Sequence, residues 1–305
     1  MATTWQQFSK EITTIVNEAG KSIVAVDGRS GHTSSGIVWR GDYVLTAAHS
    51  IRSDSGIRII PAPDESAQPV QARLVGADRG TDIAVLKLDK DVKAVPVDFG
   101  GTSALSVGDL SVAIARTRRG NIVASAGIIS GLMGEWQVRR TRIDQFIRPD
   151  LNLYPGFSGG ALLGADGAVL GLNTSGLLRG KPITIPSSTL ARVAEEIAWK
   201  GHVTQPYVGL VMQPVQIPES LQKKAGVTAT SGLLVMHAEP GGPADAAGTL
   251  LGDILVEMDS RTFDDVEDLQ DVLHGKGAGN EVQATLIRGG QKVQITIKIG
   301  TRPLG

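Results

Sequence analysis

The sequence predicts a mainly β chain with a short helix at its amino terminus. Two observations carry this. From Ser22 to about Ser188 the pattern is short β runs broken by glycine and proline, and the scarcity of helical stretches favours barrels over an α/β sheet. Apolar residues fall at helical spacing before that region, and again just after it.

In chain order, Trp5, Phe8, Ile12, Ile15 and Val16 mark an amphipathic helix ending near Gly20. Its apolar face either packs on the domain that follows or joins copies of the chain. Ile23–Val26, Gly36–Trp39, Arg58–Ile60, Val107–Ile114 and Val169–Leu172 are the clearest β runs. Thr189 to Lys200 reads as a helix, with Leu190, Val193, Ile197 and Trp199 as its apolar residues. Gly201-His202-Val203-Thr204-Gln205-Pro206 then reads as a linker. Beyond it, Val266 to His274 suggests another helix, and Arg288-Gly289-Gly290-Gln291-Lys292 a hairpin turn.

At 305 residues the chain has room for two or three cores. Thirty Lys plus Arg against 31 Asp plus Glu leave a net charge of −1. No basic excess exists to neutralise phosphates, so nucleic acid is not an expected partner. The absence of cysteine excludes disulfides, thiol catalysis and Cys-based zinc sites. No cofactor or metal is expected. The start, Met1-Ala2-Thr3-Thr4-Trp5-Gln6-Gln7-Phe8, lacks the basic and apolar regions of a signal peptide. No segment approaches the roughly 20 apolar residues of a membrane span. The expected location is cytoplasmic, or periplasmic or secreted if a signal peptide has been removed.

Three motifs carry chemistry. Tyr154-Pro155-Gly156-Phe157-Ser158-Gly159-Gly160 sets a serine among glycines, where a tight bend exposes its hydroxyl. The amides of Gly156 and Ser158 can then converge on a developing oxyanion. Tyr43-Val44-Leu45-Thr46-Ala47-Ala48-His49 is an apolar strand ending in a histidine, the one such context among five histidines. Gly80-Thr81-Asp82-Ile83-Ala84-Val85-Leu86 puts an aspartate at the mouth of another apolar strand. A serine hydroxyl is a poor nucleophile at neutral pH and needs a base within reach. Imidazole, with an ordinary pKa of about 6.5, accepts and returns a proton near pH 7. A buried carboxylate orients that ring and stabilises the imidazolium. The expected roles are Ser158 as nucleophile, His49 as general base then acid, and Asp82 as orienting carboxylate. His-Asp-Ser is the chymotrypsin-type order of a triad.

With these motifs in view, the chain resembles the HtrA, or Deg, family of serine proteases over nearly its whole length, from Ser22 to near Ile299. Ala126-Gly127-Ile128-Ile129-Ser130, Gly171-Leu172-Asn173-Thr174 and Ile185-Pro186-Ser187 resemble further family motifs. The resemblance implies two six-stranded antiparallel barrels of chymotrypsin-like fold, followed by a PDZ domain. His49 and Asp82 would come from the first barrel and Ser158 from the second, with the site in the cleft between them. The implied domains are an amino-terminal helix at 1–20 and a protease domain at 21–201. Its barrels span about 22–100 and 101–188, and a PDZ domain occupies 202–305. Tyr207-Val208-Gly209-Leu210 falls where PDZ domains bind a peptide carboxylate, and Ala238 to Gly248 resembles a PDZ turn and short helix. The groove helix would present Val266 and Leu269.

Departures from the family pattern bear on specificity. Phe157 and Tyr154 stand where the family has asparagines, and Ser175 to Lys181 is shorter than its counterpart. Tyr154, Phe157, Asn173 and Ser175 are the specificity-pocket candidates, with a small or medium aliphatic side chain implied before the scissile bond. The resemblance implies an endopeptidase of unfolded or damaged proteins, a PDZ domain that binds peptide carboxyl termini, and a homotrimer joined by amino-terminal aromatics. The alternative is a chaperone or peptide-binding scaffold whose protease site is silent or conditionally active.

Overall fold

A computed structural model describes all residues except 1–2, 30–31, 63–67, 93, 98, 139–140, 179 and 303–305. Arg179, within the shortened segment noted above, lies outside the described residues. The chain divides into two compact units, Met1–Val203 and Thr204–Gly305.

Helix α1 (Thr4–Gly20) starts on a capping box: the Gln6 N–H donates to the Thr3 hydroxyl, and the Thr3 N–H donates to Gln6 Oε1. Two donors that a helix start leaves unpaired are thereby satisfied. Ile12, Ile15, Val16 and Ala19 pack against the core of the same unit. The other end is open. Trp5 is 80% exposed and meets Phe8 edge to face at 6.3 Å. The two readings of this helix therefore divide along its length.

Strands β1 (Ile23–Arg29), β2 (His32–Arg40), β3 (Tyr43–Ala47), β4 (Ile57–Ile60), β5 (Val70–Asp78) and β6 (Ile83–Leu88) close into an antiparallel barrel in the order β1-β2-β3-β6-β5-β4. The chain crosses to a second barrel around Val97 and Gly100: Val97 N–H bonds the Val38 carbonyl, and Gly100 N–H bonds the Val169 carbonyl. The second barrel uses β7 (Leu110–Arg116) and β8 (Ile122–Met133), then, after the separate hairpin of β9 (Trp136–Val138) and β10 (Thr141–Ile143), β11 (Phe146–Asp150), β12 (Ala161–Gly164), β13 (Val169–Leu178) and β14 (Lys181–Pro186). Its order is β11-β14-β13-β12-β7-β8. The run expected to begin at Val107 begins at Leu110, because Gly108 at φ +103° turns the chain first.

Each barrel has its own apolar filling, Val24, Val44, Ile59 and Leu86 in the first and Ile129, Ile147, Phe157 and Leu162 in the second. A third core joins the two. Ile37, Leu45 and Val85 from one barrel meet Ile114, Leu163 and Leu172 from the other, and α2 (Ser187–Lys200) adds Leu190, Val193 and Ile197. This shared core keeps residues on the facing barrel walls in register, which is what positions the site.

The second unit contains β15 (Pro206–Tyr207), β16 (Leu210–Gln216), α3 (Glu219–Ala225), β17 (Ser231–Ala238), α4 (Pro243–Ala246), β18 (Ile254–Met258), β19 (Arg261–Thr262), α5 (Val266–Lys276), β20 (Glu281–Arg288), β21 (Gln291–Lys298) and β22 (Gly300–Thr301). Its main sheet runs β16-β17-β18-β20-β21, so β16 is an edge strand. The turn after Arg288 is the two-residue Gly289–Gly290, with φ +56° and +84°, the left-handed pair that a tight hairpin requires.

Candidate active site

His49 does not end its strand. β3 stops at Ala47, and Ala48–Ser50 forms a single 3-10 turn. Asp82 causes the change. Its carbonyl accepts the Ala48 N–H at 2.9 Å, which extends the β3–β6 register by one pair, and its Oδ1 accepts the His49 N–H at 2.8 Å, so a side chain takes the next amide. The histidine is thus held by its backbone as well as by its ring.

Asp82 is 4% exposed and has φ +60°, an uncommon conformation for a residue with a Cβ. Local bonds hold it there. Asp78 Oδ2 accepts from the Thr81 N–H and hydroxyl at 3.0 and 2.7 Å, which fixes the turn just before Asp82. Asp82 Oδ2 accepts from His49 Nδ1 at 2.7 Å and from the Thr174 hydroxyl at 2.5 Å. A carboxylate only accepts, so Nδ1 carries the imidazole proton and Nε2 is left as the basic nitrogen. The hydrogen bond to Asp82 raises the His49 pKa above its ordinary value; burial opposes this, and the negative charge of Asp82 adds to it.

Ser158 lies on the loop between β11 and β12. Phe157 N–H closes a turn onto the Tyr154 carbonyl at 3.0 Å, and Gly159 N–H bonds the Asn173 carbonyl at 2.8 Å. Gly159 has φ +85°, and a Cβ there would lie 2.0 Å from the Ser35 carbonyl oxygen, so the loop can press onto β2 only with glycine at this position. Ser158 Oγ is 3.3 Å from Ser175 Oγ. Among the described residues, no hydrogen bond joins Ser158 to His49. Both line one cleft of about 340 Å³, together with Tyr154, Gly156 and Ser175.

Residues 34–172 match the family of trypsin-like peptidase domains, and residues 209–299 match that of PDZ domains. The putative serine protease HhoB of Synechocystis is 31% identical over 91% of this chain, which covers 68% of that relative. The chain belongs to the HtrA, or Do-like, family of serine proteases. Protease Do-like 1 of the Arabidopsis thaliana chloroplast is 32% identical over 89% of this chain, and a probable periplasmic DegP-like serine endoprotease of Halomonas elongata is 30% identical over 90%. The chain spans only 64% and 59% of those two proteins. Among solved structures, the HtrA-type protease AlgW with a decapeptide superposes with a TM-score of 0.74, 25% identity and coverage of 96% of this chain and 99% of that one. A serine endoprotease from Yersinia pestis gives 0.75 at 25% identity, covering 99% of this chain and 100% of that one.

In this HtrA-family chain the expected pocket residues separate. Tyr154, 57% exposed, and Ser175 line the cleft. Phe157 and Asn173 do not. Phe157 is 2% exposed inside the second barrel, because the turn onto Tyr154 directs its ring inward. Asn173 is fully buried and accepts the Thr184 hydroxyl at 2.8 Å.

In the second unit, Gly209 has φ +76°, and the carbonyls of Gly209 and Val208 accept the N–H groups of Glu239 and Ala244. Tyr207 donates its hydroxyl to Glu239 at 3.2 Å. Leu210 begins the edge strand, and Val266 is half-buried on the facing helix. Leu269, expected on the groove, is instead fully enclosed. It lies three residues after Val266, on the side of α5 that packs against the sheet core.

Thr174 and Gly176 are among the residues at the site that carried no assigned role in the sequence. Thr174 belongs to a recognisable Asn-Thr motif, so its bond to Asp82 had a signal. Gly176, pressed against the His49 ring, had none. No group of three or more His, Asp or Glu side chains is placed to hold a metal ion among the described residues. No described helix is long and apolar enough to cross a membrane.

Proposed function

We propose that this chain is a serine endopeptidase in which Ser158, His49 and Asp82 act as a triad. The observation that supports it most is the Asp82-bound imidazole of His49 facing the same cleft as Ser158. In this reading Ser158 Oγ attacks the scissile carbonyl carbon and passes its proton to His49 Nε2. The N–H groups of Gly156 and Ser158 hold the oxyanion. Collapse of the tetrahedral intermediate breaks the C–N bond, and His49 gives its proton to the departing amine. Water, deprotonated by the same nitrogen, then adds to the acyl carbon, and the C–Oγ bond breaks as His49 returns that proton to Ser158. The hydroxyl must turn from Ser175 toward His49 when substrate fills the cleft; catalytic bonds often tighten only then.

Substrates in this reading are unfolded or damaged polypeptides, as the HtrA-family resemblance implies. The edge strand β16, its carboxylate loop at Tyr207–Leu210 and the facing α5 suit a peptide carboxyl terminus added as a strand. The exposed Trp5 and its neighbour Phe8 support assembly as a homotrimer. The chloroplast and periplasm of the relatives favour an exported protein over a cytoplasmic one.

One observation favours a second reading, a conditionally active protease: the resting Ser158 hydroxyl pairs with Ser175 and not with the base. Hydrolysis of denatured casein tests the proposal. The native chain should cleave it, and Ser158→Ala should lower turnover by roughly four to six orders of magnitude. Residual cleavage within tenfold of the native rate would refute the role of Ser158.

A further inference from the structure

Ser35 lies on β2 of the first barrel, yet two of its polar atoms bond the segment that carries Ser158. Its hydroxyl donates to the Gly156 carbonyl at 2.8 Å. Its backbone N–H donates to the Ser158 carbonyl at 2.9 Å. Its own carbonyl accepts the Thr46 hydroxyl at 2.6 Å and abuts the α-carbon of Gly159. The residue is fully buried.

We infer that Ser35 is a positioning residue that sets the two oxyanion-hole amides from the opposite barrel, an inference that rests on the proposed peptidase reading. A serine hydroxyl has one proton and two lone pairs. Here the Arg116 N–H donates into that oxygen at 2.9 Å, so the hydroxyl proton is directed at Gly156. The peptide bond is planar, leaving each residue two soft dihedrals. Ser35 grips the carbonyls of Gly156 and Ser158, and so anchors the peptide planes that directly follow the two residues whose N–H groups would face the oxyanion. Gly156, at φ +99° with no side chain, would otherwise rotate freely. Asp82 and His49 do not touch this residue's hydroxyl, so its effect is separate from proton transfer. Ser35 touches neither substrate nor reacting atoms; it acts through the loop.

The test compares native protein, Ser35→Ala and Ser35→Cys on a peptide amide, and on the matching peptidyl boronic acid, whose tetrahedral adduct places an oxygen in the hole. Ser35→Ala should lower kcat by about 10- to 100-fold, near or below the loss of one hole donor, with KM changed less than about threefold. The boronate inhibition constant should weaken by the same factor as kcat/KM. Ser35→Cys keeps the volume with a weaker donor, should fall between the two, and covers the case in which Ser35→Ala does not fold. A purely structural role would lower the melting temperature and leave kcat and boronate affinity alone, and that result overturns the inference. Full activity in Ser158→Ala would instead overturn the peptidase reading itself.

Discussion

Gly176 lies so close to the His49 ring that a Cβ built on it would sit 2.5 Å from Nδ1, and 2.8 Å from Asp82 Oδ2. Its N–H bonds the Thr174 hydroxyl at 2.9 Å, the same hydroxyl that donates to Asp82. Gly176 therefore closes the side of the His49–Asp82 pair that faces the second barrel.

A methyl group at this position must displace the ring or the carboxylate, and neither is the far end of a flexible chain. Gly176→Ala should lower kcat/KM by roughly 100-fold through misplacement of the base. Its melting temperature should fall by only a few degrees. Activity within threefold of native would show that the pair tolerates the shift.

The raised pKa of His49 predicts the acid limb of the rate profile. The base must be neutral, so kcat/KM should rise with pH through a midpoint above about 6.5. The same shift bears on stability. A histidine whose folded pKa exceeds its unfolded value stabilises the fold fully below about 6.5, and this is lost as pH climbs through the folded value. In Asp82→Asn both raising influences disappear while burial remains, so NMR titration of His49 should give a lower midpoint. An unchanged midpoint would separate Asp82 from the ring.

Assembly should depend on the open end of α1. Light scattering at micromolar concentration should give about three times the 31.9 kDa chain mass. Trp5→Ala with Phe8→Ala should release monomers, because each aromatic buried between copies contributes a few kcal/mol, about 25 cal/mol per Å². A native monomer would remove the basis for a trimer.

Peptides with an apolar last residue should bind the second unit in the tens of micromolar, about 6 kcal/mol. Amidation of their carboxyl terminus should weaken binding at least tenfold, read by calorimetry. Equal affinity for the amidated form would rule out carboxylate capture at Tyr207–Leu210.

Residues whose chemistry demands a local pattern were legible in the sequence. Ser158 among glycines, Asp82 before an apolar strand and the period of α1 are examples. Residues placed by distant partners were less so. The 3-10 turn at His49 begins where Asp82, 33 residues on, takes the His49 N–H with its side chain. Phe157 looked like a pocket ring beside the serine, but one turn bond folds it into the second barrel. Leu269 and Val266 share an apolar helix face, and only packing against the sheet decides which stays near the surface. Gly176 makes sense solely through its approach to a ring from the other barrel.

The proposed role of Ser158 is that of a nucleophile activated by His49. Incubation with a peptidyl diaryl phosphonate followed by peptide mass mapping tests it directly. One covalent adduct per chain should form, on Ser158, at a rate that falls at least a thousandfold in His49→Ala. No adduct, an adduct on another serine, or labelling of Ser158 that is indifferent to His49 would contradict it.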